Sequence, residues 1–115
     1  MNKEIIEERL LNLPIEIKEL KIEILAISLK ADAAELDKKN YEINALTTVI
    51  DGNRATNDKG RKTETDKILS EKPEYKECCD NLKAYRDNVR YEQINLQYFE
   101  DMLKSYHSIV LLGRD

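Results

Sequence analysis

The sequence predicts an all-α fold. The expected architecture is an antiparallel helical hairpin of two long helices, with a short helix in the connection, self-associating into a helical bundle or coiled coil. Three observations predict it. Two long stretches carry apolar residues at alternating spacings of three and four. The one interruption between them is rich in Gly, Asn and Asp. Charged residues make up 37% of the chain, with only three Gly and two Pro, a composition suited to long amphipathic helices.

The first arm, residues 1–50, contains the clearest pattern. Ile6, Leu10, Leu13, Ile17, Leu20, Ile24, Ile27, Ala31, Ala34, Lys38, Tyr41, Ala45 and Thr48 follow a strict 3.5-residue repeat, and eleven of these thirteen are apolar. With this seam as heptad positions a and d, a second apolar set falls on b and f: Leu11, Ile15, Ile22, Leu25, Leu29, Leu36, Ile43, Leu46 and Ile50. At about 100° per residue the two stripes lie roughly 150° apart. Two separated stripes call for two kinds of neighbour, one a helix of the same chain and the other a second molecule. Pro14 interrupts the arm's hydrogen-bond ladder, so the pattern allows either a kink or a restart with Pro14 in the first turn.

The arm is expected to stop at Asp51-Gly52-Asn53, where Gly and Asn accept the left-handed conformation that closes a helix. Residues 51–72 form the connection. Apolar periodicity vanishes over 51–62, which reads as a loop, and Thr63 or Thr65 is placed to cap a short helix containing Ile68 and Leu69. Pro73 suits the first turn of the second arm, residues 73–112. Its seam is Tyr75, Cys78, Leu82, Tyr85, Val89, Glu92, Leu96, Phe99, Leu103, Tyr106 and Val110, with a further stripe of Ala84, Tyr91, Tyr98, Met102, Ile109 and Leu112. The residues expected to carry hairpin formation and self-association are Ile17, Leu20, Ile24, Ile27, Leu29, Leu36, Leu82, Val89, Leu96, Phe99 and Leu103. Lys38 and Glu92 are lone charges on these seams. They would meet as a register-fixing pair in one alignment of the arms, and snorkel outward independently in others.

No catalytic constellation is visible. The single histidine, His107, reads as a surface or interface residue, and neither a P-loop nor a GxGxxG motif occurs. Cys78 and Cys79 are adjacent, point about 100° apart on a helix and cannot easily bridge each other, and they read as buried or half-buried thiols rather than a metal site, with a redox switch between subunits as the alternative. The chain is therefore expected to be non-enzymatic, without cofactor or metal. No apolar run reaches the length of a membrane span, and the N-terminus lacks a secretory pattern, which together predict a cytoplasmic protein.

The net charge of -4 argues against general nucleic-acid coating. The charge is uneven, however. Residues 51–72 are net +1 while both arms are negative, and Arg54 to Lys62 alone is +3. Arg54, Lys59, Arg61 and Lys62, with Asn53, are therefore the candidate contacts for a partner or for nucleic-acid phosphates. The bland alternative is a solvated connection.

A helix, Asp51-Gly52-Asn53, a basic Asn-rich loop containing Arg61, a short helix and a Pro-Glu-Tyr start ending in Tyr75 together resemble small helical-hairpin proteins of bacteriophages and prophages of Gram-positive bacteria. The resemblance implies an accessory role in replication, recombination or host takeover, in the host bacterial cytosol, with a host or phage protein as partner. In architecture alone the expected hairpin also resembles the Gam-type inhibitors of host nucleases. The expectation is thus a non-enzymatic protein-interaction module that forms a homodimer or higher oligomer. The alternative is a nucleic-acid-binding accessory protein acting through residues 54–62.

Overall fold

A computed structural model describes residues 2–113. They form three helices, α1 (Lys3–Asp51), α2 (Asp58–Ser70) and α3 (Pro73–Leu112), and no strand occurs among the described residues.

Local chemistry sets the helix ends. Asn2 caps α1: its Oδ1 accepts from the Glu4 N–H at 2.9 Å and its carbonyl accepts from Ile6 at 3.1 Å. At the other end Asn53 takes φ 50°. The Arg54 N–H donates to the Val49 carbonyl at 3.1 Å and the Asn53 N–H to the Ile50 carbonyl at 3.2 Å. These two bonds around a left-handed residue define a Schellman motif. Asn53 supplies the left-handed residue, and Gly52 does not have positive φ.

α1 runs unbroken through Pro14, so the restart with Pro14 in a first turn is not realised. The connection is also more helical than its polarity suggests. Asn57, with φ -120° and ψ 164°, is the N-cap of α2, and its Oδ1 accepts from the Gly60 N–H at 2.7 Å. The expected caps, Thr63 and Thr65, lie inside α2. There their hydroxyls donate to the Lys59 and Arg61 carbonyls one turn back. An Asn-x-x-Gly cap is easily missed, because Gly60 looks like a helix breaker. A Cβ at Gly60 would sit 3.0 Å from both the Ala55 Cβ and the capping Asn57 Oδ1, so the cap needs glycine there. Pro73 opens α3 as anticipated.

The chain divides into two compact units, one of Met1–Ser28 with Asp87–Asp115, the other of Leu29–Arg86. In the first unit α1 buries Ile6, Leu13, Ile17, Leu20 and Ile27. Ile24 is half-buried, as are Val89, Leu96, Phe99 and Leu103 of α3. Lys21 and Glu100 form an exposed ion pair at 3.9 Å. Pairs of that kind are worth little, so apolar burial along the seam holds this unit together.

The second unit has a different core. α1 contributes small residues, Ala31, Ala34 and Ala45, and α3 and α2 contribute large ones, Leu82 and Leu69. Tyr85 packs on the Ala31, Ala34 and Leu82 cluster. Tyr41 and Tyr75 meet edge to face, with centroids 6.1 Å apart. Val49 is fully buried, whereas Thr48, its neighbour on the expected seam, is exposed. The seam steps by four from Ala45 to Val49 because a third helix, α2, joins this unit and draws the buried face toward itself. Glu35 pairs with Arg86 at 3.4 Å, and Glu42 accepts from the Tyr75 hydroxyl at 3.2 Å. Lys38 is therefore level with the part of α3 between Tyr75 and Arg86, and its ion-pair partner is Glu42 at 4.0 Å. The pairing of Lys38 with Glu92 is not formed.

Two stability outcomes follow. Leu82→Ala is expected to lower unfolding stability by about 2–5 kcal/mol, since Leu82 is the large side chain seated against Ala31 and Ala34. Asn53→Val is expected to cost about 1–3 kcal/mol, because a β-branched residue resists positive φ. Urea denaturation followed by circular dichroism reads both, and an unchanged midpoint for either would contradict the packing or the cap described.

Candidate functional site

The basic segment is divided by the fold. Asn53 is the α1 terminator and Arg54 follows it, exposed, outside any helix. Lys59, Arg61 and Lys62 lie in the first turns of α2, beyond the Asn57 cap. Lys59 and Lys62 are exposed. Arg61 is half-buried, with its Nε withdrawn from solvent and unpartnered. It lines a groove between α1 and α2 with Glu42, Leu46, Ile50, Lys62 and Asp66. The structure thus replaces one cationic loop by a free arginine, two solvated lysines on a helix and an arginine partly absorbed into packing. Asp58 in the first turn of α2 adds a negative charge beside them. The backbone amide best placed at this helix start, that of Gly60, is already taken by Asn57.

The second candidate is the apolar b/f row of α1. In the unit Met1–Ser28/Asp87–Asp115 it comprises Leu11, Ile15, Ile22 and Leu25, which are 56–74% exposed. In the unit Leu29–Arg86 it comprises Leu29, Leu36 and Ile43 at 59–60%, then Leu46 and Ile50 at 39% and 43%. The decrease toward Ile50 reflects α2, whose residues share a groove with Leu46 and Ile50. Leu29 and Leu36, expected from the sequence to act in association, are therefore open, while Ile17, Leu20, Ile27 and Leu82 are spent on the chain's own core. On α3, Tyr91, Ile94 and Tyr98 are 62–65% exposed. Ile94, absent from the expected stripe, lies three residues after Tyr91 and four before Tyr98, on the same stripe. Isolated exposed aliphatics are ordinary, but a row of them at helical period is not.

The tyrosine and cysteine cluster of α3 has geometry but no catalytic partner. The Cys78 thiol donates to the Ala34 carbonyl at 3.2 Å, a contact opened by the small side chain on α1. Burial pushes the Cys78 thiol up from its ordinary range, aided by the negative charge of Asp37 and by Cys79, with Lys38 opposing. Burial likewise pushes the Tyr75 hydroxyl up, reinforced by the neighbouring Cys79 and by Glu42. Both groups stay protonated at neutral pH and act as donors, not nucleophiles. Both cysteines are free, and no cluster of three metal-ligating side chains occurs among the described residues. No helix among the described residues is long and apolar enough to cross a membrane.

A pH measurement checks this account of Cys78. Its raised folded value means that the stability it contributes is present at neutral pH and is lost as pH rises through the thiol range. In a Cys79→Ser variant, iodoacetamide modification of native Cys78 is expected to have its midpoint at higher pH than in the urea-unfolded chain. An equal or lower midpoint would show that the thiol is not held by burial and Ala34.

Comparison with protein-family models, with curated proteins and with solved structures finds no match to this chain.

Proposed function

We propose that the chain is a non-enzymatic protein-interaction module that works as a homodimer. The observation that supports this reading most directly is the α1 row at heptad positions b and f, left 39–74% exposed after α2 and α3 have packed. A row of apolar residues at helical period on a charged helix is costly to keep in water and gives little unless another surface covers it. A second copy is a natural cover, because it brings an identical row at the same spacing. In the dimer the charged helix faces and the connection around Arg54 remain free to engage a further protein.

The resemblance of the Asp51-Gly52-Asn53, Arg61 and Tyr75 pattern to small phage and prophage hairpin proteins supports an accessory role in replication, recombination or host takeover. The division of the basic residues between a loop and α2 favours the protein-interaction reading over phosphate binding. Arg61 is partly committed to packing, and Asp58 lies among the remaining cations.

Light scattering coupled to size exclusion tests the proposal. At tens of micromolar the expected mass is twice the chain mass of 13.4 kDa. Leu29→Glu/Leu36→Glu is expected to return the mass to one chain while helicity persists. A single-chain mass for the unaltered protein would overturn the reading.

A further inference from the structure

We infer that two copies pair through the α1 face of the Leu29–Arg86 unit in one antiparallel register, with Leu36 on the two-fold axis and Asp32 of each copy opposite Lys39 of the other. The inference rests on the homodimer reading and adds the geometry of its interface. Within this unit the exposed row reads Leu29, Asp32, Leu36, Lys39, Ile43 at spacings of three and four. Leu29, Leu36 and Ile43 are each about 60% exposed, and Asp32 makes no ion pair among the described residues.

Charge selects the register. A parallel pair in register would set Asp32 against Asp32 and Lys39 against Lys39 across the interface. A parallel pair offset along the helix does not close on itself and leads to open polymers. The antiparallel register centred on Leu36 sets Leu29 against Ile43, Asp32 against Lys39 and Leu36 against its own copy. Sliding one helix by a heptad in either direction brings Asp32 onto Asp32 or Lys39 onto Lys39. Sliding by half a heptad leaves each charge facing a leucine or an isoleucine. Of the registers that set this stretch against itself, only the one centred on Leu36 matches every position.

The flanks of this face agree. On one side Ala33, Asn40 and Thr47 are exposed, small and uncharged, and allow close approach of the second helix. On the other side Glu35 would lie near its own copy across the axis. Its charge is offset by Arg86 at 3.4 Å and Lys39 at 3.8 Å. α2 screens Leu46 and Ile50 rather than the stretch from Leu29 to Ile43, so the proposed contact is also the most open part of the row within this unit. Because the b/f row lies about 150° from the a/d seam, the second copy sits on the side of α1 away from α3.

Charge reversal and cross-linking test the register. Asp32→Lys alone and Lys39→Asp alone are each expected to weaken the dimer by about tenfold or more. Mixing the two variants is expected to restore dimers, since the mixed pair regains both opposite-charge contacts. In a Cys78→Ser/Cys79→Ser background, Leu29→Cys mixed with Ile43→Cys is expected to form a disulfide dimer under mild oxidation. Either variant alone is not, because like positions would be about 20 Å apart along the helix. No restoration on mixing, or cross-linking of Leu29→Cys with itself, would overturn the register while leaving the homodimer in place. A single-chain mass for the unaltered protein would instead remove the dimer reading itself.

Discussion

One constraint governs this molecule: α1 has apolar residues on two faces, and the neighbours available within the chain cover one of them. The a/d seam, from Ile6 through Ala45, is buried or half-buried. The b/f row is roughly on the opposite side of the helix, out of reach of a neighbour seated on the first face. No rotation of α1 satisfies both, since turning one face inward turns the other outward. The fit on the buried face is local: α3 sets Leu82 and Tyr85 where α1 is small, and half-buried Val89, Leu96, Phe99 and Leu103 where α1 is large.

That fit differs between the two units. Between Ile6 and Ile27 the α1 seam is built from isoleucine and leucine, and α3 answers with Val89, Leu96, Phe99 and Leu103. From Ala31 onward the seam turns to alanine, and Leu82 and Tyr85 fill the space released. The alanines have a second effect. They expose α1 backbone to α3, and the Cys78 thiol uses one of those carbonyls. The cysteine thereby gains a structural hydrogen bond and loses the acidity that would make it reactive. The nearby Tyr75 is similarly occupied, held between Tyr41, Glu42 and Cys79.

The connection shows how capping overrides composition. Residues 51–62 have the Gly, Asn and Asp content of a loop, yet only the short stretch between Asp51 and Asp58 lies outside helices. Asn53 ends one helix by accepting positive φ, and Asn57 starts the next by accepting a hydrogen bond from Gly60. Once α2 begins at Asp58, Leu69 is carried into the core and Arg61 into the groove beside Leu46 and Ile50. The basic residues are then spread over different environments, and the charge cluster that is compact along the chain is not compact as a surface.

Periodicity in the amino-acid sequence was enough to determine the all-α class, the extent of the long helices within a few residues and the presence of two apolar rows on α1. These depend on backbone geometry, which repeats every 3.6 residues whatever the surroundings. Tertiary structure alone decided the rest. Continuity through Pro14 depends on packing that outweighs one missing hydrogen bond. Burial of Val49 in place of Thr48 depends on α2 docking at that end of α1. The partner of Lys38 depends on how α1 and α3 align, and an unbroken heptad pattern permits several alignments. Which of the two apolar rows is hidden was likewise undetermined along the chain, because both have the same period; only the packing of α3 and α2 shows the a/d row covered and the b/f row exposed.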